Sequence, residues 1–138
     1  MSIQLPEKFP FLKLTLILLG VYTVFWISLE GGLLRVVWMG VGVTAVSTLH
    51  LLQKQFGGRT LQAKWWVGVT AVSGTISGLL SVGTTLIFMI VKTGLHAHGP
   101  EFTPSEIEWV IQQWSLWGTV GLLCGSAIGF ISAGRESR

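Results

Sequence analysis

His96 and His98 stand two residues apart with Glu101 three further on, the densest set in this chain of groups able to hold a metal. Imidazole nitrogens and a carboxylate oxygen suit Zn²⁺ or Cu²⁺, and Glu106 or another subunit would have to add a further ligand. Structural zinc sites normally carry a closed four-ligand spacing, so a polar loop that contacts a partner is the plainer account of these residues. The third histidine, His50, stands alone, four residues before Lys54 near the end of an apolar stretch. A lone neutral imidazole on a helix can coordinate the magnesium of a chlorophyll-type pigment or one face of a haem iron. Bis-histidine haem ligation would take its second histidine from a partner chain. The plainer account of His50 is an interfacial polar residue bonded to Ser47 or to lipid headgroups.

Other chemistry is excluded by what the chain lacks. It has no nucleophile elbow, no phosphate loop and no zinc-protease helix. A proton-coupled transporter, a rotor-ring subunit or a small multidrug exporter needs an ionisable group near the middle of a membrane span, because such a charge is costly and is kept only for function. Glu30 and Arg35 fall at one edge of the apolar stretches and His50 at the other, so the sequence predicts a protein that is not an enzyme. The lone cysteine, Cys124, can form no internal disulfide and reads as a small soft hydrophobe.

The elements that must position these residues are long apolar helices. Half of the 138 residues are hydrophobic and 11% are charged, where soluble domains carry about 25%. Apolar spans at residues 14–29, 36–52, 65–91 and 109–133, the last apolar from Trp114 onward, approach or exceed what a core of about 30 Å requires at about 1.5 Å per residue. The expected fold is therefore all-α: a polytopic, four-transmembrane-helix bundle forming a single membrane domain over residues 1–138. Met1 to Pro10 lacks the marks of a signal peptide, so the first span is expected in the mature protein.

Charge sets the orientation. Seven of the nine Lys and Arg residues, Lys8, Lys13, Lys54, Arg59, Lys64, Arg135 and Arg138, fall on one side of these spans, and only Arg35 and Lys92 on the other. The positive-inside bias then predicts N-in/C-in, with both termini and the middle loop cytoplasmic and residues 92–108 as the extracytoplasmic loop. Trp26, Trp38, Trp65, Trp66, Trp109 and Trp114 lie at or near span ends, where an amphipathic ring prefers the headgroup layer. The net charge of +3 is explained by this topology and by anionic headgroups, and nucleic acid is not an expected partner.

Local signals refine the picture. Pro6 and Pro10 are expected to keep the first residues extended as far as Phe11, and Gln53 to Lys64, with Gly57-Gly58, to form a solvated connection. Glu30-Gly31-Gly32 predicts a tight turn between antiparallel neighbours. Thr103-Pro104-Ser105-Glu106 matches a capping box, so the last helix is expected to start outside the membrane. Gly121, Gly125 and Gly129 recur every four residues toward Ala133, and Gly74 and Gly78 repeat beside Ser73, Ser77 and Ser81. Both are small-residue ridges that allow close helix approach. They pack against each other, or else one of them docks another subunit, a pigment or a lipid.

These features predict a non-catalytic accessory or assembly subunit of a larger bacterial membrane complex, respiratory or photosynthetic. The expected location is the bacterial inner (plasma) membrane or a photosynthetic membrane, with the lipid bilayer and other membrane subunits or a second copy as partners. One alternative is a small oligomeric channel or transporter in which Thr70, Ser73, Ser77, Ser81 and Thr84 line a path. Another is a pigment- or haem-binding subunit acting through His50.

Overall fold

In lipid every backbone N–H and C=O must be satisfied within its own segment, so long apolar runs free of proline become helices. The computed structural model describes residues 2–5, 7–29, 31–95 and 101–135. They form five helices and one small sheet: β1 (Ser2–Gln4), α1 (Leu12–Ile27), α2 (Leu33–Phe56), β2 (Thr60–Gln62), α3 (Ala63–Leu95), α4 (Pro104–Gln112) and α5 (Trp114–Arg135). Three of these helices, α2, α3 and α5, are long and apolar enough to cross a membrane. The 33 residues of α3 span about 50 Å, beyond a core of about 30 Å. Helix α1 is apolar but has 16 residues, about 24 Å.

The central element is α3. Helix α5 runs antiparallel to it along its first half, where Gly129 lies against Val67, Gly125 against Thr70 and Gly121 against Gly74. Helix α2 packs along its second half: Gly40 lies against Thr85, and Thr44 Oγ1 donates to Thr84 Oγ1 at 3.0 Å. The core sits around this second half, where Val36, Val37 and Met39 of α2 meet Val82 and Met89 of α3, Trp26 of α1, Val110 of α4 and Phe102 just before it. Much of the remaining apolar surface faces outward, Ile17, Val24, Phe25 and Ile90 among it. A helix that is apolar all round is either buried or in contact with lipid.

The first residues are not a free extended tail. Ser2, Ile3 and Gln4 pair antiparallel with Gln62, Leu61 and Thr60, Leu5 N donates to Arg59 O at 3.0 Å, and Gly58 N donates to Leu5 O at 3.1 Å. The alternation Ser-Ile-Gln-Leu gives one apolar face, and Ile3 and Leu5 bury it against Trp66. Gly58 takes φ 74° at the turn that allows this pairing, a conformation glycine adopts without steric cost. The connection from Gln53 to Lys64 is therefore partly helix and partly strand, rather than a solvated turn. Sheet, α2 C-terminus, α3 N-terminus and the Ala133 region of α5 come together at one end of the bundle.

The last helical stretch begins where its capping box requires. Thr103 Oγ1 accepts from Glu106 N at 3.3 Å and Thr103 N donates to Glu106 Oε2 at 2.8 Å, with Pro104 in the first turn. The stretch is divided at Gln113 into α4 and α5. The segment expected as loop 92–108 is helical at both ends, since α3 continues to Leu95 and α4 starts at Pro104.

Candidate functional site

The expected metal ligands that are described are already engaged in other bonds. His96 and His98 lie outside the described residues. Glu101 Oε1 accepts from Lys92 Nζ at 2.6 Å and from Gly31 N at 3.2 Å, so its carboxylate is committed to a cation and a backbone donor. Glu106, considered as a further ligand, uses its carboxylate in the helix cap. Among the described residues no three His, Cys, Asp or Glu side chains are grouped to hold a metal ion.

His50 sits half-buried in the second half of α2, and its Nδ1 is enclosed without a hydrogen-bond partner. The bond to Ser47 considered from the sequence is not made through this nitrogen. Cys124 is exposed on α5 and unpaired.

What the structure does assemble is a buried ion pair at the end of the bundle opposite the sheet. Lys92, in the last turn of α3, is fully enclosed, and the Glu101 side chain is 13% exposed. Lys92 Nζ donates to Leu29 O at 2.5 Å as well as to Glu101, and lies 5.2 Å from the centre of the Trp26 ring. That ring stacks edge-on against Phe88 with centroids 6.0 Å apart. A charge removed from water is tolerated when it is paired and its remaining donors are satisfied, as here by a carboxylate, a carbonyl and an aromatic face. The network joins the end of α1, the turn before α2, the end of α3 and the approach to α4. It ties these four segments together at one end of the bundle. From the sequence Lys92 reads as a loop charge, and the nine-residue separation from Glu101 carries no periodic signal. Trp26 was legible only as an interfacial ring.

The small-residue rows meet inside the chain. A Cβ built on Gly74 would collide with Gly121 O, one on Gly78 with Trp117 O, one on Gly121 with Gly74 O and one on Gly125 with Thr70 O; on Gly129 it would press on Thr70 and Val67. The α3–α5 seam thus brings backbone against backbone. Gly40 against Thr85 is a second close approach, between α2 and α3, and the sequence reading missed it. Its signal was present as Gly40-xxx-Thr44 facing Ser81-xxx-Thr85, two further small-residue repeats.

The hydroxyls expected to line a path bond mostly to their own helix. Thr70 Oγ1 donates to Trp66 O at 3.0 Å, Ser81 Oγ to Gly78 O at 2.7 Å and Thr84 Oγ1 to Leu80 O at 3.0 Å. Thr70, Ser77 and Ser81 nevertheless border a cleft of about 560 Å³ that lies between α2 and α5 over the first half of α3. The cleft lies where α5 packs along the first half of α3 and α2 along its second half, leaving a space between the two flanking helices. Compared with protein families, with curated proteins and with solved structures, the chain matches none of them.

Proposed function

We propose that this chain is a four-span, N-in/C-in membrane protein that serves as a non-catalytic accessory or assembly subunit of a larger bacterial membrane complex, respiratory or photosynthetic. The observation that carries this reading is α1: of its 16 residues only Trp26 is buried, while Leu14, Ile17, Leu18, Val21, Val24 and Phe25 all face outward. A helix so little engaged by its own chain offers an apolar face for a partner's span. Crossing by α1 requires local thinning of the bilayer or help from flanking residues, a modest cost. The N-in/C-in orientation is supported by the convergence of the sheet, the α2–α3 connection and the α5 end, with Lys8, Lys13, Lys54, Arg59 and Lys64 all exposed. Extraction from the native membrane in mild detergent, followed by mass spectrometry, tests the role. Larger chains in fixed ratio are expected, and a homogeneous oligomer without partners overturns it.

A second reading, a small oligomeric channel or transporter, is favoured by the cleft beside Thr70, Ser77 and Ser81. It requires solute flux in liposomes that changes in Ser77→Val, and absence of flux for small ions removes it. The unpartnered Nδ1 of His50 favours a pigment or haem ligand; visible absorbance abolished by His50→Ala is the corresponding test.

A further inference from the structure

We propose that the cleft between α2 and α5 binds one hydrocarbon chain of an anionic phospholipid, with the headgroup at the β1–β2 end. This assignment is independent of any partner complex. The cleft runs beside α3 from Trp66 to Ser81, a rise of about 22 Å, enough for one extended chain reaching in from a single leaflet of about 15 Å. Its walls are mostly apolar, contributed by residues such as Val41, Leu52, Val120 and Ile128.

The volume of the cleft suits a small occupant. A helix about 10 Å across needs roughly 2,000 Å³ to lie along the membrane core, whereas the cleft holds about 560 Å³. That falls within the range of about 300–1,000 Å³ typical of sites for one small ligand. A second copy of the chain or a partner's span would lie across the cleft rather than within it, whereas a single lipid tail fits inside.

Two further observations place the headgroup. Trp66, at the sheet end of the cleft, is 6% exposed, and its indole Nε1 is enclosed without an acceptor. A buried N–H without a partner is costly, and a small turn of the Trp66 ring toward the cleft it lines would let a glycerol ester or phosphate oxygen accept from it. The same end carries Lys8, Lys54, Arg59 and Lys64 on its surface, with Glu7 the one described acidic residue among them. Lys64 stands two residues before Trp66, in the first turn of α3. A phosphodiester complements that charge, and a zwitterionic headgroup does so less well.

The test uses the full chain in nanodiscs containing equal amounts of phosphatidylglycerol and phosphatidylcholine, released for native mass spectrometry. One phosphatidylglycerol per chain is expected, enriched about tenfold over phosphatidylcholine, as one to two cations near a headgroup provide. Val120→Trp and Ala45→Phe fill the cleft from its two walls without touching the α3–α5 glycine seam, and both should abolish the adduct. Trp66→Phe should retain the fold and weaken the adduct. Equal retention of the two lipids, an unchanged adduct in the filled variants, or a lipid-free dimer overturns the proposal. Should a filled variant fail to fold, photocrosslinking of the unmodified chain by phosphatidylglycerol with a diazirine in its tail decides. Adducts within Thr70–Ser81 and Val120–Ile128 support the site, and adducts confined to α1 overturn it.

Discussion

Lys92 and Glu101 concentrate the molecule's electrostatic risk in one place. The ammonium is fully enclosed and held by Glu101, Leu29 O and the Trp26 face, so removing it strands a carboxylate in an apolar setting. Lys92→Met should destabilise the folded chain by about 3–5 kcal/mol, whereas Lys92→Met combined with Glu101→Leu should recover most of that loss. The asymmetry follows because a lone buried charge costs more than an absent pair. Thermal unfolding in detergent, followed by tryptophan fluorescence, checks it; a single variant as stable as the double would remove the tie from the account. Glu101 also shows a partner that a donor set read from sequence does not reveal. A carboxylate near two histidines reads as a metal ligand, yet its oxygen is taken by a lysine nine positions earlier and by the backbone of Gly31.

At the scale of elements the glycines divide into two kinds. Those of the α3–α5 seam leave no room for a side chain, while Gly42 on α2 has nothing within 4 Å of where its Cβ would stand. Gly125→Leu should force α5 away from Thr70 and Ala71 and abolish the packed form, read as loss of a cooperative unfolding transition. Gly42→Ala should leave packing intact and raise stability by up to about 1 kcal/mol, since glycine in a helix interior is less favourable than alanine. If the two substitutions behave alike, the seam has no special closeness. Which glycines face each other was partly legible, because a period of four marks one helix face. The partner of Gly40 was not, because Thr85 lies on another helix and 45 positions away.

For the whole molecule, the decisive quantity is which end faces which compartment. In a Cys124→Ser background, Arg59→Cys should be shielded from a membrane-impermeant thiol reagent added to intact cells, and Ser105→Cys should be labelled. The reverse pattern would invert the proposed orientation. The sheet adds a consequence at this scale, since β1 ties the first residues to the connection before α3. The start of the chain and the α2–α3 turn must therefore lie on the same side.

Apolar run length, cation bias and the capping box are local or periodic properties, and the sequence by itself determined the helical class, the long spans and the start of α4 at Pro104. Each depends on residues within a few turns of one another or on a sum along the chain. Pairing of Ser2–Gln4 with Thr60–Gln62, burial of Lys92 against Glu101 and Trp26, and the opening of a cleft over α3 were decided only by the tertiary structure. They depend on how helices pack and which segments return to meet them, and lipid-facing sequence is too uniform in its apolar alphabet to encode those partners by pattern alone.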